Sequence, residues 1–428
     1  MNVLPDLKAI YRAAAASDDG QRCLVAPSPE LSEAIKVELT RMRKRSLGPL
    51  IKVQGREAAG LNDGLIYPGD MFPPGTPLRV ARSAAAERAP LRGAVRVIVV
   101  LAQFSDKPMA QTNQHFHDLF FSSGVLPNGS VREYFLEVTN GQVDIQGEVA
   151  GPYTLPKTIK EYANGASGTG GTQPNARTMA RDAALLADAD INFTPYDNDG
   201  DGFVDAFIVV HAGPGGEQTG SKHDIWSHKW VLSGGAYQAD GARIYAYLTV
   251  PEDSKIGVCA HELGHLLFGF PDLYDTDYSS EGVGNWCLMG GGSWNGGGEI
   301  PAHPSAWCKL NQGWATAVIQ KENTSLEIAD VKTSQKVYRL WKNGASGSEY
   351  FLLENRQKTG YDRLLPAAGL LIWHIDEAIE SNSDEAHAKV ALVQADNKRD
   401  LELGHNRGDG GDVFPGTSQN SAFTNEST

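Results

Sequence analysis

The stretch HELGHLLFGFPDLYD, residues 261–275, is the most informative part of this 428-residue chain. Its first five residues place His261 and His265 four positions apart, with Glu262 directly after the first histidine. On an α-helix, residues i and i+4 lie on one face, so both imidazoles can bind one tetrahedral ion. Glu262 lies on nearly the same face, where its carboxylate can accept a proton from water. The spacing therefore predicts a helix that carries a zinc site and a general base.

The flanking residues favour this interpretation over a pair of surface histidines. The segment KIGVCAHELGHLLFG (255–269) is apolar apart from the motif residues, and it predicts a helix over 255–268. Gly269 can end this helix in a left-handed conformation, and Pro271 prevents its continuation.

A catalytic zinc needs a third protein ligand and one position open to water. Asp272 follows the helix in a Gly-x-x-Asp pattern and is the predicted third ligand. Four other carboxylates compete for this place, namely Asp275, Asp277, Glu281 and Glu299.

A second acidic pattern, DNDGDGFVD (197–205), is typical of a calcium loop. The predicted ligands are four carboxylates and the main-chain carbonyl of position 7, that is Asp197, Asp199, Asp201, Phe203 and Asp205. Position 12 is Ile208 rather than the glutamate of an EF-hand, so Glu217 is a candidate for closing the site. An acidic surface turn is the alternative, but four aspartates without a cation would repel one another.

The composition disfavours several classes of partner. The chain has 38 basic and 52 acidic residues, so its net charge is 38 − 52 = −14 at pH 7. This acidity disfavours nucleic acid, and no apolar run is long enough to span a bilayer. The N-terminus shows no continuous apolar segment of a secretory signal, which leaves an extracellular and a cytoplasmic location both open. The oligomeric state is open as well.

The four cysteines, Cys23, Cys259, Cys287 and Cys308, are too few to indicate a disulfide framework. Cys259 lies in the apolar helix, where we expect a buried free thiol. A Cys259–Cys287 bridge is the alternative.

Three parts follow one another along the chain. Residues 1–92 combine a predicted helix at 28–45, capped by Ser28, with a connector rich in Pro, Gly and Arg that is typical of a linker or a prosegment. Residues 93–318 alternate strand and helix patterns, which predicts an α/β or α+β domain that carries the zinc helix. Residues 319–428 predict a β-rich subdomain of short strands and turns.

Strand patterns in these parts are near-continuous apolar runs or short alternating segments. The predicted strands include AVRVIVVLAQF (94–104), FVDAFIVVHAG (203–213), SLEIAD (325–330), KVYRLW (336–341), EYFLLENR (349–356), GLLIWHID (369–376) and KVALVQAD (389–396).

Five further polar residues have two interpretations each. His228 either contacts substrate or is a hydrogen-bonded structural histidine. His374 and Asp376 lie on one face of a predicted strand, which favours a structural pair over a role near the cleft. Asp409 and Asp412 belong either to a weaker calcium site or to a plain glycine turn.

From residue 93 to the C-terminus, the chain resembles the M6 (immune inhibitor A-like) family of metalloproteases. The resemblance rests on HELGHLLFGFPDLYD together with PYDNDGDGFVDAFIVVHAGPG (195–215), DIWSHKW (224–230), GVGNWCLMGGGSWNGGG (282–298), PAHPSAWCKLNQGW (301–314), EYFLLENRQKTGYD (349–362), GLLIWHIDE (369–377) and NRGDGGDVFPGT (406–417).

This resemblance implies a zincin- or metzincin-like catalytic domain with an active-site helix, followed by a β-rich C-terminal part. It implies His261 and His265 as zinc ligands, Glu262 as the base, Asp272 as the third ligand and Met289 as the methionine beneath the metal. The family usually has two residues between the second histidine and the glycine, whereas three separate His265 from Gly269 here.

The expected function is zinc-dependent cleavage of peptide bonds in secreted form, with proteins or peptides as substrates. A non-protease zinc amidase and a catalytically silent binding protein are the alternatives; the presence of Glu262 argues against the second. Residues 1–92 add the expectation of a latent zymogen. Cys23, in QRCLVAP, either binds the zinc as a thiolate or is a buried structural cysteine.

Overall fold

The chain forms two compact units. The computed structural model describes residues 23–45, 66–77, 80, 88–320 and 325–424. The first unit comprises Met1–Arg132 and Asp144–Pro271, and the second comprises Glu133–Val143 and Asp272–Thr428. Residues 46–65, 78–79 and 81–87 of the predicted Pro-, Gly- and Arg-rich connector lie outside the described residues.

The first unit contains a mixed sheet. Its described strands are β1 (Cys23–Leu24), β2 (Gly93–Gln103), β3 (Val143–Thr154), β4 (Phe207–His211), β5 (His228–Val231), β6 (Tyr237–Ala239), β7 (Ala242–Ile244) and β8 (Ala246–Pro251). The order in the large sheet is β1-β5-β8-β4-β2-β3, and β6 pairs with β7 as a separate ribbon. β2, β4 and β8 are parallel to one another. On the side of β8, β5 pairs antiparallel to β8, and β1 pairs antiparallel to β5. Residues 97–102 of β2 are fully buried, which explains their unbroken apolar run.

Helices connect these strands. They are α1 (Pro29–Arg45), α2 (Asn113–Phe121), α3 (Val131–Val138), α4 (Ile159–Ala163), α5 (Ala176–Ala187), α6 (Gly216–Thr219) and α7 (Ile256–Phe268). Most of α3, from Glu133 onward, belongs to the second unit. The predicted cap of α1 is confirmed, because the Ser28 hydroxyl accepts a hydrogen bond from Leu31 N–H at 3.3 Å. Short 3-10 turns lie at Gly69–Met71 and Thr194–Tyr196.

The predicted zinc helix is α7, and its end follows the expected motif. Gly269 has φ 64°, a conformation that glycine adopts without steric cost. The Gly269 N–H donates to the His265 carbonyl at 3.1 Å, and the Phe270 N–H donates to the Gly264 carbonyl at 3.1 Å. These two bonds satisfy carbonyls that the helix would otherwise leave open. Every residue of α7 is buried, as its apolar composition requires.

The second unit contains a five-stranded sheet of order β13-β12-β11-β10-β9. The strands are β9 (Thr316–Ile319), β10 (Lys336–Trp341), β11 (Glu349–Arg356), β12 (Gly369–Asp376) and β13 (Val390–Val393). β9 runs parallel to β10, and the other pairs are antiparallel. Its helices are α8 (Ala306–Asn311) and α9 (Val331–Ser334), with 3-10 turns at Gly284–Trp286, Gly291–Gly298, Lys342–Gly344 and Gly360–Leu364.

Two strand predictions need correction. The segment 325–330 is not a strand; only Asp330 makes an isolated bridge, to Asn355. Asp330 is instead the N-cap of α9, because its side chain accepts the Lys332 N–H. The strand predicted at 203–213 is shorter and begins at Phe207, since the preceding residues belong to the acidic loop.

Helices and strands in both units confirm the mixed α and β class. No helix among the described residues has both the length and the apolar character needed to cross a membrane.

Candidate metal centre

The two motif histidines converge on one point. His261 and His265 are both fully buried on α7, and their Nε2 atoms lie 3.0 Å apart. Zinc–nitrogen bonds of about 2.0–2.1 Å at the tetrahedral angle would put two such nitrogens about 3.3 Å apart. The observed separation is close to this value, and the zinc-binding role of His261 and His265 remains a prediction.

The ring of His265 directs its Nε2 toward the Nε2 of His261. Its Nδ1 lies 2.5 Å from the Phe270 carbonyl oxygen, which can only accept a hydrogen bond. The proton of the neutral ring is therefore on Nδ1, and the lone pair is on Nε2. A carbonyl behind a ligating imidazole is the usual way in which a protein fixes the ring of a metal ligand.

Glu262 lies beside this pair. It is fully buried on α7, and at 100° per residue it is about 60° around the helix from His265. Burying a carboxylate is costly, and the role of Glu262 as general base remains a prediction.

Three of the four carboxylates that compete with Asp272 for the third-ligand position make other contacts in the structure. Both oxygens of Asp275 accept hydrogen bonds within the following loop, including the Ser280 N–H at 2.8 Å. Burial, followed by the Asp277 charge, raises the pKa of Asp275 to about 6. Asp277 accepts the Ser279 N–H at 2.9 Å. Glu281 pairs with an arginine, since its carboxylate lies 3.3 Å from Arg407 Nε.

Asp272 is the first residue of the second unit and is only 2% exposed. Its role as third ligand remains a prediction. The same holds for Met289, which is fully buried in the second unit and accepts the Leu273 N–H with its carbonyl at 2.8 Å.

Three of the five predicted calcium ligands lie together. Asp197, Asp199 and Asp205 each offer a carboxylate oxygen within 4.8 Å of the others. The carboxylate of Asp201 instead accepts the Tyr67 hydroxyl at 2.6 Å and the Phe203 N–H at 2.8 Å.

An arginine already lies at this acidic loop. Arg88 Nη1 is 2.8 Å from Asp205 Oδ1. Burial raises the pKa of Asp205 to about 6, although Arg88 opposes the shift. Burial and the neighbouring Asp201 charge also raise the pKa of Asp199. These shifts indicate carboxylates that lack full compensation, which a cation would provide.

Glu217 does not close the acidic loop. It is fully buried, and its oxygens accept the Ser227 N–H at 3.0 Å and the Ser227 hydroxyl at 2.7 Å. Burial raises the pKa of Glu217 to about 7, although the Ser227 contacts oppose the shift.

His228 is a structural histidine. It is fully buried, and its Nδ1 lies 2.6 Å from the Trp226 carbonyl while its Nε2 lies 2.9 Å from the Tyr247 hydroxyl. Both ring nitrogens are therefore used within the fold.

The sequence suggested that His374 and Asp376 form a hydrogen-bonded pair, but each of them has a different partner. His374 Nε2 lies 2.9 Å from Glu349, and Asp376 lies 2.9 Å from His387 Nε2. Glu349, Asp376 and His387 also bring potential metal-binding atoms within 4.8 Å of one another. Sequence reasoning missed this group because its members come from separate strands and a loop.

The hydrogen bonds of Asp409 and Asp412 agree with the interpretation of this segment as a glycine turn. Asp412 accepts the Trp286 indole N–H at 3.0 Å and the Asp409 N–H at 2.9 Å. Asp409 in turn accepts the Gly411 N–H at 2.6 Å.

The cysteines of the described residues form no disulfide, so the predicted free thiol of Cys259 is confirmed and the Cys259–Cys287 bridge is wrong.

Comparison with known proteins gives a consistent result. Residues 96–320 match the immune inhibitor A peptidase M6 catalytic domain. The pre-pro-metalloprotease PrtV of Vibrio cholerae serotype O1 is 34% identical over 234 residues, which cover 46% of this chain and 25% of PrtV. Immune inhibitor A of Bacillus thuringiensis subsp. alesti is 32% identical over 197 residues, covering 39% of this chain and 28% of the relative.

The alignments thus span about a quarter of the length of these relatives. The family match is more extensive relative to this chain, since 320 − 96 + 1 = 225 of its 428 residues are covered. Those residues include the whole of α7 with its two convergent histidines. On this basis the chain belongs to the immune inhibitor A peptidase M6 family.

Proposed function

We propose that this protein is a zinc-dependent endopeptidase with a zincin-like catalytic domain. The observation that carries the proposal is the pair of Nε2 atoms 3.0 Å apart on a buried helix, with Glu262 alongside. The family match supports the reaction class. His261 and His265 would hold the ion, and Asp272 is the proposed third ligand.

The metal and the protein residues have different roles in the proposed reaction. A bound zinc supplies Lewis acidity, which acidifies a water and polarises the peptide carbonyl. Glu262 accepts the proton of the attacking water and returns it to the leaving nitrogen as the peptide bond breaks. The Phe270 carbonyl keeps the His265 ring in place throughout.

The proposal extends to organisation and location. Residues 1–92 act as a prosegment, 93–318 as the catalytic domain and 319–428 as the β-rich subdomain. The family match begins at 96 and ends at 320, in support of this division. The name of one relative describes a pre-pro form. We also propose that the enzyme acts on proteins outside the cell, because an active protease endangers its producer.

We further propose that Asp197, Asp199 and Asp205 bind calcium, with the Phe203 carbonyl as a fourth ligand. Calcium binds carboxylate and carbonyl oxygens at about 2.3–2.6 Å, which suits three oxygens within 4.8 Å. Asp201 would join the site only after releasing Tyr67. Arg88 competes with the cation for Asp205.

Two other functions differ in testable ways. A zinc amidase would bind the metal but leave proteins intact. A silent binding protein would cleave neither proteins nor small amides, and it would need no carboxylate at position 262.

The decisive experiment measures zinc content and casein digestion of the full chain, with and without ortho-phenanthroline. Because a prosegment would mask activity, digestion is measured before and after limited trypsin treatment, with trypsin then blocked. We expect one zinc per chain and digestion that the chelator abolishes. Glu262→Gln should keep the zinc and lose about 10²–10⁴-fold in rate. Glu217→Gln, which also neutralises a buried carboxylate, is the matched control and should stay within a few-fold of wild type.

A chain without zinc, or a Glu262→Gln variant with near-normal turnover, would end the proposal. Zinc binding with cleavage of small amides alone would identify the amidase.

A further inference from the structure

Cys23 lies in the outermost strand of the sheet of the first unit. β1 runs antiparallel to β5, and Cys23 is opposite Lys229. The pairing continues beyond β1, because the Val25 N–H donates to the Ser227 carbonyl at 3.2 Å. The Trp226 indole N–H also donates to the Val25 carbonyl at 2.8 Å. The segment that carries the thiol is therefore fixed by backbone and side-chain bonds.

This placement brings the thiol to the proposed zinc helix. The Cys23 Sγ and a ring nitrogen of His265 lie within 4.8 Å of each other, and both residues are fully buried. β1 also packs against α7. With zinc–sulfur and zinc–nitrogen bonds of about 2.3 and 2.0–2.1 Å at the tetrahedral angle, the two atoms would be about 3.6 Å apart. The structure therefore puts a thiol beside the His265 imidazole.

We propose that the Cys23 thiolate binds the zinc and thereby keeps the full chain latent. The inference rests on the proposed zinc site of His261 and His265. The thiol loses its proton as it binds, and its sulfur takes the position that the attacking water needs. Activation requires the reverse exchange: the sulfur leaves, takes up a proton, and water enters.

The same segment blocks the edge of the sheet. Residues 23–25 form hydrogen bonds to β5 and Ser227 that an extended peptide could otherwise make by adding a strand. These hydrogen bonds hold the thiol in place, and the thiol excludes the attacking water. A purely structural cysteine would need only apolar neighbours, whereas Cys23 is next to a metal-binding imidazole.

The test uses the full chain loaded with Co²⁺ in place of zinc. A thiolate ligand gives a near-ultraviolet charge-transfer band, whereas nitrogen and oxygen ligands give only the visible bands of the ion. We expect the charge-transfer band in wild type and in Cys308→Ser, and its loss in Cys23→Ser with the visible bands retained. Cys308 is the matched control because its thiol is buried in the second unit, where it accepts a hydrogen bond from Ser305.

X-ray absorption at the zinc edge of the wild-type chain gives a second measurement that needs no variant to fold. We expect one sulfur at about 2.3 Å among nitrogen and oxygen neighbours at about 2.0–2.1 Å. In the casein assay, Cys23→Ser should be at least tenfold more active than the untreated wild type.

The outcomes separate this inference from the function on which it rests. Metal bound without sulfur would overturn the role of Cys23 and leave the zinc site standing. A charge-transfer band that survives in Cys23→Ser would overturn it as well. Absence of any bound metal would refute the proposed function itself.

Discussion

The charged residues of the motif EYFLLENRQKTGYD form a buried ion-pair network in the second unit. Arg356 Nε donates to Asp362 Oδ2 at 2.6 Å, and its Nη1 donates to Glu354 Oε1 at 3.2 Å. Lys309 Nζ reaches the other oxygen of Glu354 at 3.2 Å, and the Trp373 indole donates to Glu354 at 3.0 Å. The side chains of Arg356, Glu354 and Asp362 are fully buried. The two positive and two negative charges balance.

Replacing Arg356 with methionine removes one charge and leaves Asp362 buried without its main partner. Breaking a buried pair from one side typically costs about 3–5 kcal/mol. We therefore expect the free energy of unfolding of the second unit to fall by about 3–5 kcal/mol, or about two to three and a half orders of magnitude in the unfolding equilibrium. Adding Asp362→Asn restores neutrality, since Lys309 still balances Glu354, and should recover at least about 1 kcal/mol.

The loss should depend on pH in a defined direction. Burial alone would raise the pKa of Asp362, but Arg356 outweighs it and holds this pKa well below its usual value. In wild type, a depressed folded pKa contributes stability above the unfolded value of about 3.9, and this contribution is lost only as the pH falls through the folded pKa. Without Arg356, burial dominates and the pKa rises above the unfolded value. Protonation then relieves the penalty, so the difference between variant and wild type should shrink from pH 7 to pH 5.

Urea denaturation followed by tryptophan fluorescence measures this effect, because six of the eight tryptophans belong to the second unit (286, 294, 307, 314, 341 and 373). A loss of 3–5 kcal/mol corresponds to a midpoint shift of about 1–2.5 M for a slope of about 2–3 kcal/mol/M. Arg339→Met is the matched control, since Arg339 stacks 4.5 Å from the Tyr350 ring and should cost about 1 kcal/mol or less. A loss below 1 kcal/mol for Arg356→Met, or one that does not change with pH, would refute this account.

Two further predictions concern the metals. Asp272→Ala should lower the zinc content of the purified chain far more than Asp275→Ala, whose carboxylate is occupied by its own loop; atomic absorption measures both, and equal zinc contents would move the third ligand elsewhere. Calcium removal should lower the melting temperature without releasing zinc, because a ligand at a hundredfold excess over its Kd adds about 2.7 kcal/mol of stability. Asp199→Ala should abolish the dependence of the melting temperature on calcium. A melting temperature that changes neither with calcium nor with this substitution would exclude the loop as a stabilising site.

The local parts of the site could be predicted from sequence. The helix over 255–268, its end at Gly269 and the convergence of His261 and His265 all depend on residues within a few turns of one another. Helical periodicity fixes such neighbours directly. Their burial followed from the apolar composition of the same segment.

Contacts between distant segments could not be predicted in this way. The Tyr67 hydroxyl donates to one oxygen of Asp201, and Arg88 donates to one oxygen of Asp205, so two predicted calcium ligands also have protein partners. Spacing within the loop carries no information about these partners, which come from residues far earlier in the chain. The strand predicted at 325–330 failed for a related reason, because its alternation gave no indication of the cap that Asp330 supplies to α9.

The motifs that resemble one peptidase family therefore carry two kinds of information. In α7, the Nε2 atoms of His261 and His265 lie 3.0 Å apart, where we propose that they bind zinc. In EYFLLENRQKTGYD, the equally distinctive Glu354, Arg356 and Asp362 bind one another inside the second unit. Both patterns place charge where water is absent, which is costly unless each group has a partner. What distinguishes them is the kind of partner: the network has its counter-charges within the chain, whereas the Nε2 atoms of His261 and His265 face each other across 3.0 Å, where the proposed zinc ion would bind both.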